Sequence, residues 1–105
     1  MQLFGLKTCD TCRKARKALP QAQFIDVRDH GVPAKMLVRA HSLFGAALLN
    51  TRSTTWRDLK AAERALPPVE LLKTHPTAMK RPLVVVGDRM YLGWSPEVRQ
   101  ALEVS

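Results

Sequence analysis

At 105 residues and 11.8 kDa the chain has the length of one domain, enough for a single modest core and too short for two. With 46% hydrophobic and 25% charged residues it is neither disordered nor collagen-like, two cysteines are too few for a disulfide scaffold, and no apolar run approaches a membrane span. Seventeen Lys and Arg against nine Asp and Glu leave a net charge of +8, which directs attention to an anionic partner: nucleic acid, an acidic protein or a small oxyanion.

The apolar opening Met1 to Gly5 reads as a strand, followed by a loop from Leu6 to Asp10. From Thr11 the spacing of Cys12, Ala15, Ala18 and Leu19 predicts an amphipathic helix, with Arg13, Lys14 and Lys17 on its other face and Pro20 as its stop. Asp10 is expected to help cap this helix. Gln23 to Val27 is a second strand, and Arg28 to Gly31 reads as a turn. Strand, helix and strand together form the minimal parallel crossover.

A helical middle follows. Pro33 suits a first helical position, the stripe of Met36, Leu37, Ala40, Leu43 and Phe44 predicts a second helix, and Gly45 ends it. Ala46 to Arg52 lacks a period and is read as a loop. Thr54 or Thr55 is expected to cap a third helix carrying Trp56, Leu59, Ala62 and Leu66, which Pro67-Pro68 breaks; a short fourth helix then runs to about Pro76. Leu83 to Val86, the turn signal Gly87-Asp88 and Arg89 to Leu92 predict a hairpin. Ser95 caps a last helix with Pro96 in its first turn. The order predicts one α/β domain over residues 1–105, with helices inserted over about residues 33–80 between the second and third strands.

Cys9-Asp10-Thr11-Cys12 is the sharpest chemical feature. A C-x-x-C between a strand and a helix puts two sulfurs on one helical turn, and the helix N-terminus favours a thiolate on Cys9. Lys7, Arg13 and Arg16 are close enough in sequence to add to that field. On this reading Cys9 is the nucleophile and Cys12 the resolving thiol. Two small core hydrophobes are the plain alternative. A zinc site needs two more ligands, which His30, His41 and His75 do not supply with paired spacing, so no metal is expected. No leader, membrane span or nucleic-acid-binding signature accompanies the pair, so a soluble cytoplasmic protein without direct nucleic-acid binding is expected.

Three segments carry a wider resemblance. Gly5 to Ala15 around the cysteines, Leu48-Leu49-Asn50-Thr51-Arg52-Ser53-Thr54-Thr55-Trp56-Arg57, and His75-Pro76 through Arg81-Pro82 resemble, in that order, the motifs of the arsenate reductase-like family. That family includes glutaredoxin-coupled arsenate reductases, the Spx regulators and the YffB-like proteins, and the middle motif is most similar to the YffB-like branch. The resemblance implies a thioredoxin-like fold with a helical insertion, a cis Arg81-Pro82 bond facing the cysteine loop, and Cys9 as the family's nucleophile. It also implies that Arg52 and Arg81 bind the substrate, beside Pro82; guanidinium groups suit an oxyanion or carboxylate and favour a thiolate.

No arginine stands at Gly93-Trp94, where the arsenate reductases carry a third, whereas a second cysteine at Cys12 is shared with the Spx proteins. The favoured reading is a thiol-dependent oxidoreductase acting on a small thiol, disulfide or oxyanion. It has no bound cofactor, and glutathione or a thioredoxin- or glutaredoxin-type protein serves as reductant. A redox-sensing regulator that binds RNA polymerase and a strict arsenate reductase are the alternatives.

Overall fold

In the computed structural model, which describes residues 1–104, four short strands form one sheet: β1 (Gln2–Gly5), β2 (Gln23–Asp26), β3 (Leu83–Val86) and β4 (Arg89–Leu92). Their order is β2-β1-β3-β4. β2 lies parallel to β1, with Leu3 opposite Phe24 and Gly5 opposite Asp26. β3 is antiparallel to β1, pairing Leu83 with Phe4, and the β3–β4 hairpin turns at Gly87, whose φ of 57° suits glycine. The predicted crossover and hairpin are both present. β1 and β3 are apolar on both faces, as central strands must be when neither face meets water, whereas β2 and β4 are partly exposed.

Helix α1 (Asp10–Ala18) joins β1 to β2 and covers one face of the sheet, burying Ala15 together with Leu19, Leu3 and Val84. Side chains alternate along a strand, so Leu3 and Gly5 share the α1 face while Phe4 points the other way. These elements, with the hairpin and a C-terminal helix (Pro96–Ala101), make one compact unit of residues 1–27 and 81–104. Ser95 caps that last helix as expected, its hydroxyl accepting from the Val98 N–H at 3.3 Å.

The second unit, Arg28–Lys80, is helical and occupies the interval between the second and third strands. The predicted turn after β2 is instead one helical turn, α2 (Val27–His30), before Gly31 reverses the chain with φ 67°. α3 (Ala34–Phe44) buries Leu37 and Ala40, and the expected loop beyond Gly45 opens with a 3-10 turn over Gly45–Leu48.

The third helix of the sequence reading is two helices, α4 (Thr54–Asp58) and α5 (Ala61–Arg64), separated by extended Leu59 and Lys60. Caps replace the missing ladder at this break. Arg64 donates to the Trp56 and Arg57 carbonyls at 3.1 Å, closing α4, while the Glu63 carboxylate accepts from the Lys60 N–H at 3.1 Å, opening α5. The N-cap of α4 is Ser53, whose hydroxyl accepts from Trp56 N–H, and not Thr54 or Thr55.

α6 (Pro68–Thr74) buries Leu71 and Leu72 and packs against α3. The middle and His-Pro motifs meet within this unit. Asn50 N–H donates to Ala78 O and Lys80 N–H to Leu48 O, both at 2.8 Å, and the Thr55 and Thr77 hydroxyls lie 2.6 Å apart.

Candidate active site

β1 delivers the chain into the cysteine loop, and α1 begins immediately after Cys9, which is its N-cap with φ −89° and ψ 123°. That position puts the Cys9 sulfur at the positive end of the helix dipole. Asp10 is therefore the first helical residue and not the cap. Its carboxylate is exposed and pairs with Arg13 at 3.4 Å, so in the first turn it complements the helix dipole without being the cap.

The two thiols have opposite surroundings. Cys9 is partly exposed, whereas Cys12, one turn into α1, is wholly buried. Burial opposes the Cys9 thiolate, but the backbone N–H and thiol of Cys12 and the guanidinium of Arg81 outweigh it, so the Cys9 pKa falls below its ordinary value. The geometry closes no side-chain hydrogen bond at the N-cap. The two Cys12 groups therefore favour the charge as nearby dipoles and not through a formed cap bond. Burial dominates at Cys12 and, with the negative charge on Cys9, pushes its pKa up to about 12 against the favourable Leu6 N–H. One thiol is shifted toward ionisation and its neighbour away from it.

Cys12 fits because Gly5 has no side chain. A Cβ at Gly5 would stand 2.6 Å from Cys12 Sγ, closer than any packed atom allows, and the Leu6 N–H donates to the same sulfur at 3.5 Å. The sequence carries a signal for this that the strand reading passes over: a glycine at the inner end of a buried strand marks a close approach.

The cation that acts on Cys9 is Arg81, not the neighbours expected from sequence. Arg13 is turned to Asp10 and to the Lys7 carbonyl, and Arg16 stacks over the Phe24 ring, 4.0 Å from its centroid. The Arg81-Pro82 peptide bond is cis. β3 begins at Leu83, opposite Phe4, so Arg81 and Pro82 lead into it near the end of β1 from which the cysteine loop departs. Pro82 is fully buried and its carbonyl accepts from the Gly93 N–H at 2.8 Å.

The first unit thus brings together Cys9, Cys12, Arg81 and Pro82. Arg52 belongs to the second unit, in the exposed turn before α4, where its N–H donates to the Asn50 side chain at 3.1 Å. His75 is tied to Glu63 at 2.8 Å in that second unit. Among the described residues no cluster of three or more His, Cys, Asp or Glu could hold a metal, and no helix is long and apolar enough to cross a membrane.

Comparison with known proteins bears on the whole length of the chain. The model of the ArsC family matches residues 4–102. An uncharacterized protein of Haemophilus influenzae is 32% identical over 94% of this chain and 95% of its own. The solved structure of the YffB protein PA3664 superposes with a TM-score of 0.84 at 32% identity, covering 94% of this chain and 95% of that one. An arsenate reductase-related protein of Brucella melitensis superposes with a TM-score of 0.68 at 29% identity, covering 96% and 93% of the two chains.

Proposed function

The chain belongs to the ArsC family and has its thioredoxin-like fold, and on that premise we propose that it is a thiol-dependent oxidoreductase in which Cys9 attacks and Cys12 resolves. One observation carries the reading: a partly exposed Cys9 at a helix N-terminus, its pKa lowered with help from Arg81, stands next to a buried Cys12 whose pKa is raised. A merely structural pair of cysteines would not be divided in this way.

The proposed cycle runs on a disulfide that includes glutathione. The Cys9 thiolate attacks the glutathione sulfur; the disulfide bond breaks, and the leaving thiolate takes a proton from water. Cys9 is then bonded to glutathione and carries no charge, which removes one of the influences holding the proton on Cys12. Cys12 releases its proton to water and attacks Cys9, expelling glutathione and closing a Cys9–Cys12 disulfide. Two glutathione thiols, or one thioredoxin- or glutaredoxin-type dithiol, supply the two electrons that restore the starting state.

Arg81, with Pro82 next to it, serves as an anchor for a carboxylate of glutathione or for an oxyanion, and Arg52 keeps the substrate-binding role that the family resemblance implies. The lack of a third arginine at Gly93-Trp94 favours a thiol substrate over arsenate.

Turnover with a glutathione mixed disulfide, coupled to glutathione reductase, tests the reading. Activity is expected to vanish in Cys9→Ser, and arsenate is expected to be turned over poorly. Activity unchanged in Cys9→Ser would remove the enzyme assignment. A redox-dependent complex with RNA polymerase, sought by pull-down, would favour the regulator instead.

A further inference from the structure

Asp26 is a carboxylate that the proposed cycle does not use, and it is only 8% exposed. It ends β2 directly opposite Gly5, so its side chain leaves the sheet on the α1 face, the face on which the Cys12 thiol sits against Gly5. There its Oδ2 accepts the Lys7 N–H at 3.0 Å.

The backbone of Leu6 and Lys7, which follow β1, is tied on both sides. Leu6 N–H donates to Cys12 Sγ at 3.5 Å, and Leu6 O accepts from Cys9 N–H at 3.2 Å. Lys7 N–H donates to Asp26, and Lys7 O accepts from Arg13 Nε at 3.0 Å. Leu6 thus touches both cysteines, and Lys7 is held from the sheet and from the helix. Of these two anchors Arg13 is exposed and Asp26 is buried.

We propose that Asp26 is a positioning residue for the thiol pair: by holding the Lys7 N–H it fixes the Leu6–Cys9 loop so that Cys9 is presented at the start of α1. What the loop takes from this carboxylate is an acceptor oxygen and not its charge. This separates two variants. Asp26→Ala removes the acceptor and frees the loop, which costs Cys9 its orientation. Asp26→Asn keeps an acceptor oxygen and removes the charge.

The inference rests on the assignment of Cys9 as the reactive thiol, and its test uses no substrate. The full chain, reduced, is alkylated with iodoacetamide over a range of pH, and the Cys9 and Cys12 peptides are quantified separately by mass spectrometry. Asp26→Ala is expected to slow Cys9 alkylation at neutral pH by about tenfold, the effect of losing a hydrogen bond to a charged group, and to move the pH midpoint upward. Asp26→Asn is expected to stay within about twofold of the natural chain, with its midpoint equal or lower. A Cys9 rate unchanged in folded Asp26→Ala would overturn the proposal. If Asp26→Ala does not fold, a tenfold loss in Asp26→Asn would overturn it equally. An ordinary, slow Cys9 in the natural chain would instead remove the nucleophile assignment.

Discussion

At the scale of single residues the proposed chemistry depends on an unequal pair. Arg81 supplies the positive charge at Cys9, so Arg81→Gln is expected to raise the Cys9 pKa, read from thiolate absorbance during a pH titration. An unchanged midpoint would show that the helix N-terminus suffices. Cys12 makes a prediction about stability. Its folded pKa of about 12 lies above the ordinary 9.0, so below pH 9.0 the thiol is protonated in both states and adds no pH dependence. Above 9.0 the unfolded chain ionises and the folded chain does not, and stability falls by about 1.4 kcal/mol per pH unit. Cys9 has the opposite sign, contributing stability above its depressed pKa and losing it as pH falls through that value. Urea denaturation of the natural chain and Cys12→Ala between pH 9 and 10.5 checks this: the alkaline fall should be steeper in the natural chain, and parallel curves would contradict the buried thiol.

At the scale of elements, helices too short to be stable by propensity rely on their ends. Ser53 is buried, caps α4 through Trp56 N–H at 3.1 Å, and donates to Asn50 O at 2.8 Å. Ser53→Ala is expected to cost about 1–2 kcal/mol in denaturant midpoint analysis, with the m-value unchanged. A loss below about 0.3 kcal/mol would mean that tertiary packing alone holds the turn.

The same dependence on ends explains what was legible in the sequence. The β1-α1-β2 crossover, the hairpin and the Ser95-Pro96 helix start could be read because periodicity and local caps agree there. The division of α4 from α5 could not, because Trp56, Leu59, Ala62 and Leu66 keep a helical spacing across it. What breaks the helix is Arg64 reaching back to the Trp56 and Arg57 carbonyls, a choice of partners seven and eight residues apart. In the site, the C-x-x-C and the Arg81-Pro82 pair were readable as motifs. Asp26 was not, since its place comes from standing opposite Gly5 across β1 and β2, and the one signal at Gly5 is its position at the inner end of a buried strand. Arg13 and Arg16 were credited to the site on sequence proximity, but their side chains bond elsewhere.

At the scale of the whole molecule, the +8 charge has a partial account. Arg81 is spent on the thiol, Arg13 and Arg64 on backbone carbonyls, and Arg16 on an aromatic face. On the proposed function, the remaining excess favours the approach of an anionic substrate such as glutathione. The kcat/KM for a glutathione mixed disulfide should accordingly fall several-fold, roughly 3- to 10-fold, between 0.02 and 0.5 M salt, while a neutral disulfide is little affected. Equal salt dependence of the two would deny the field a role.

The division of labour between Cys9 and Cys12 is tested most directly by intact-protein mass spectrometry after brief exposure of the reduced chain to oxidised glutathione. The natural chain is predicted to lose two hydrogens and carry no adduct, having closed the Cys9–Cys12 disulfide. Cys12→Ser should hold one glutathione on Cys9, and Cys9→Ser none. A natural chain that retains the adduct, or an adduct found on Cys12, would contradict the account.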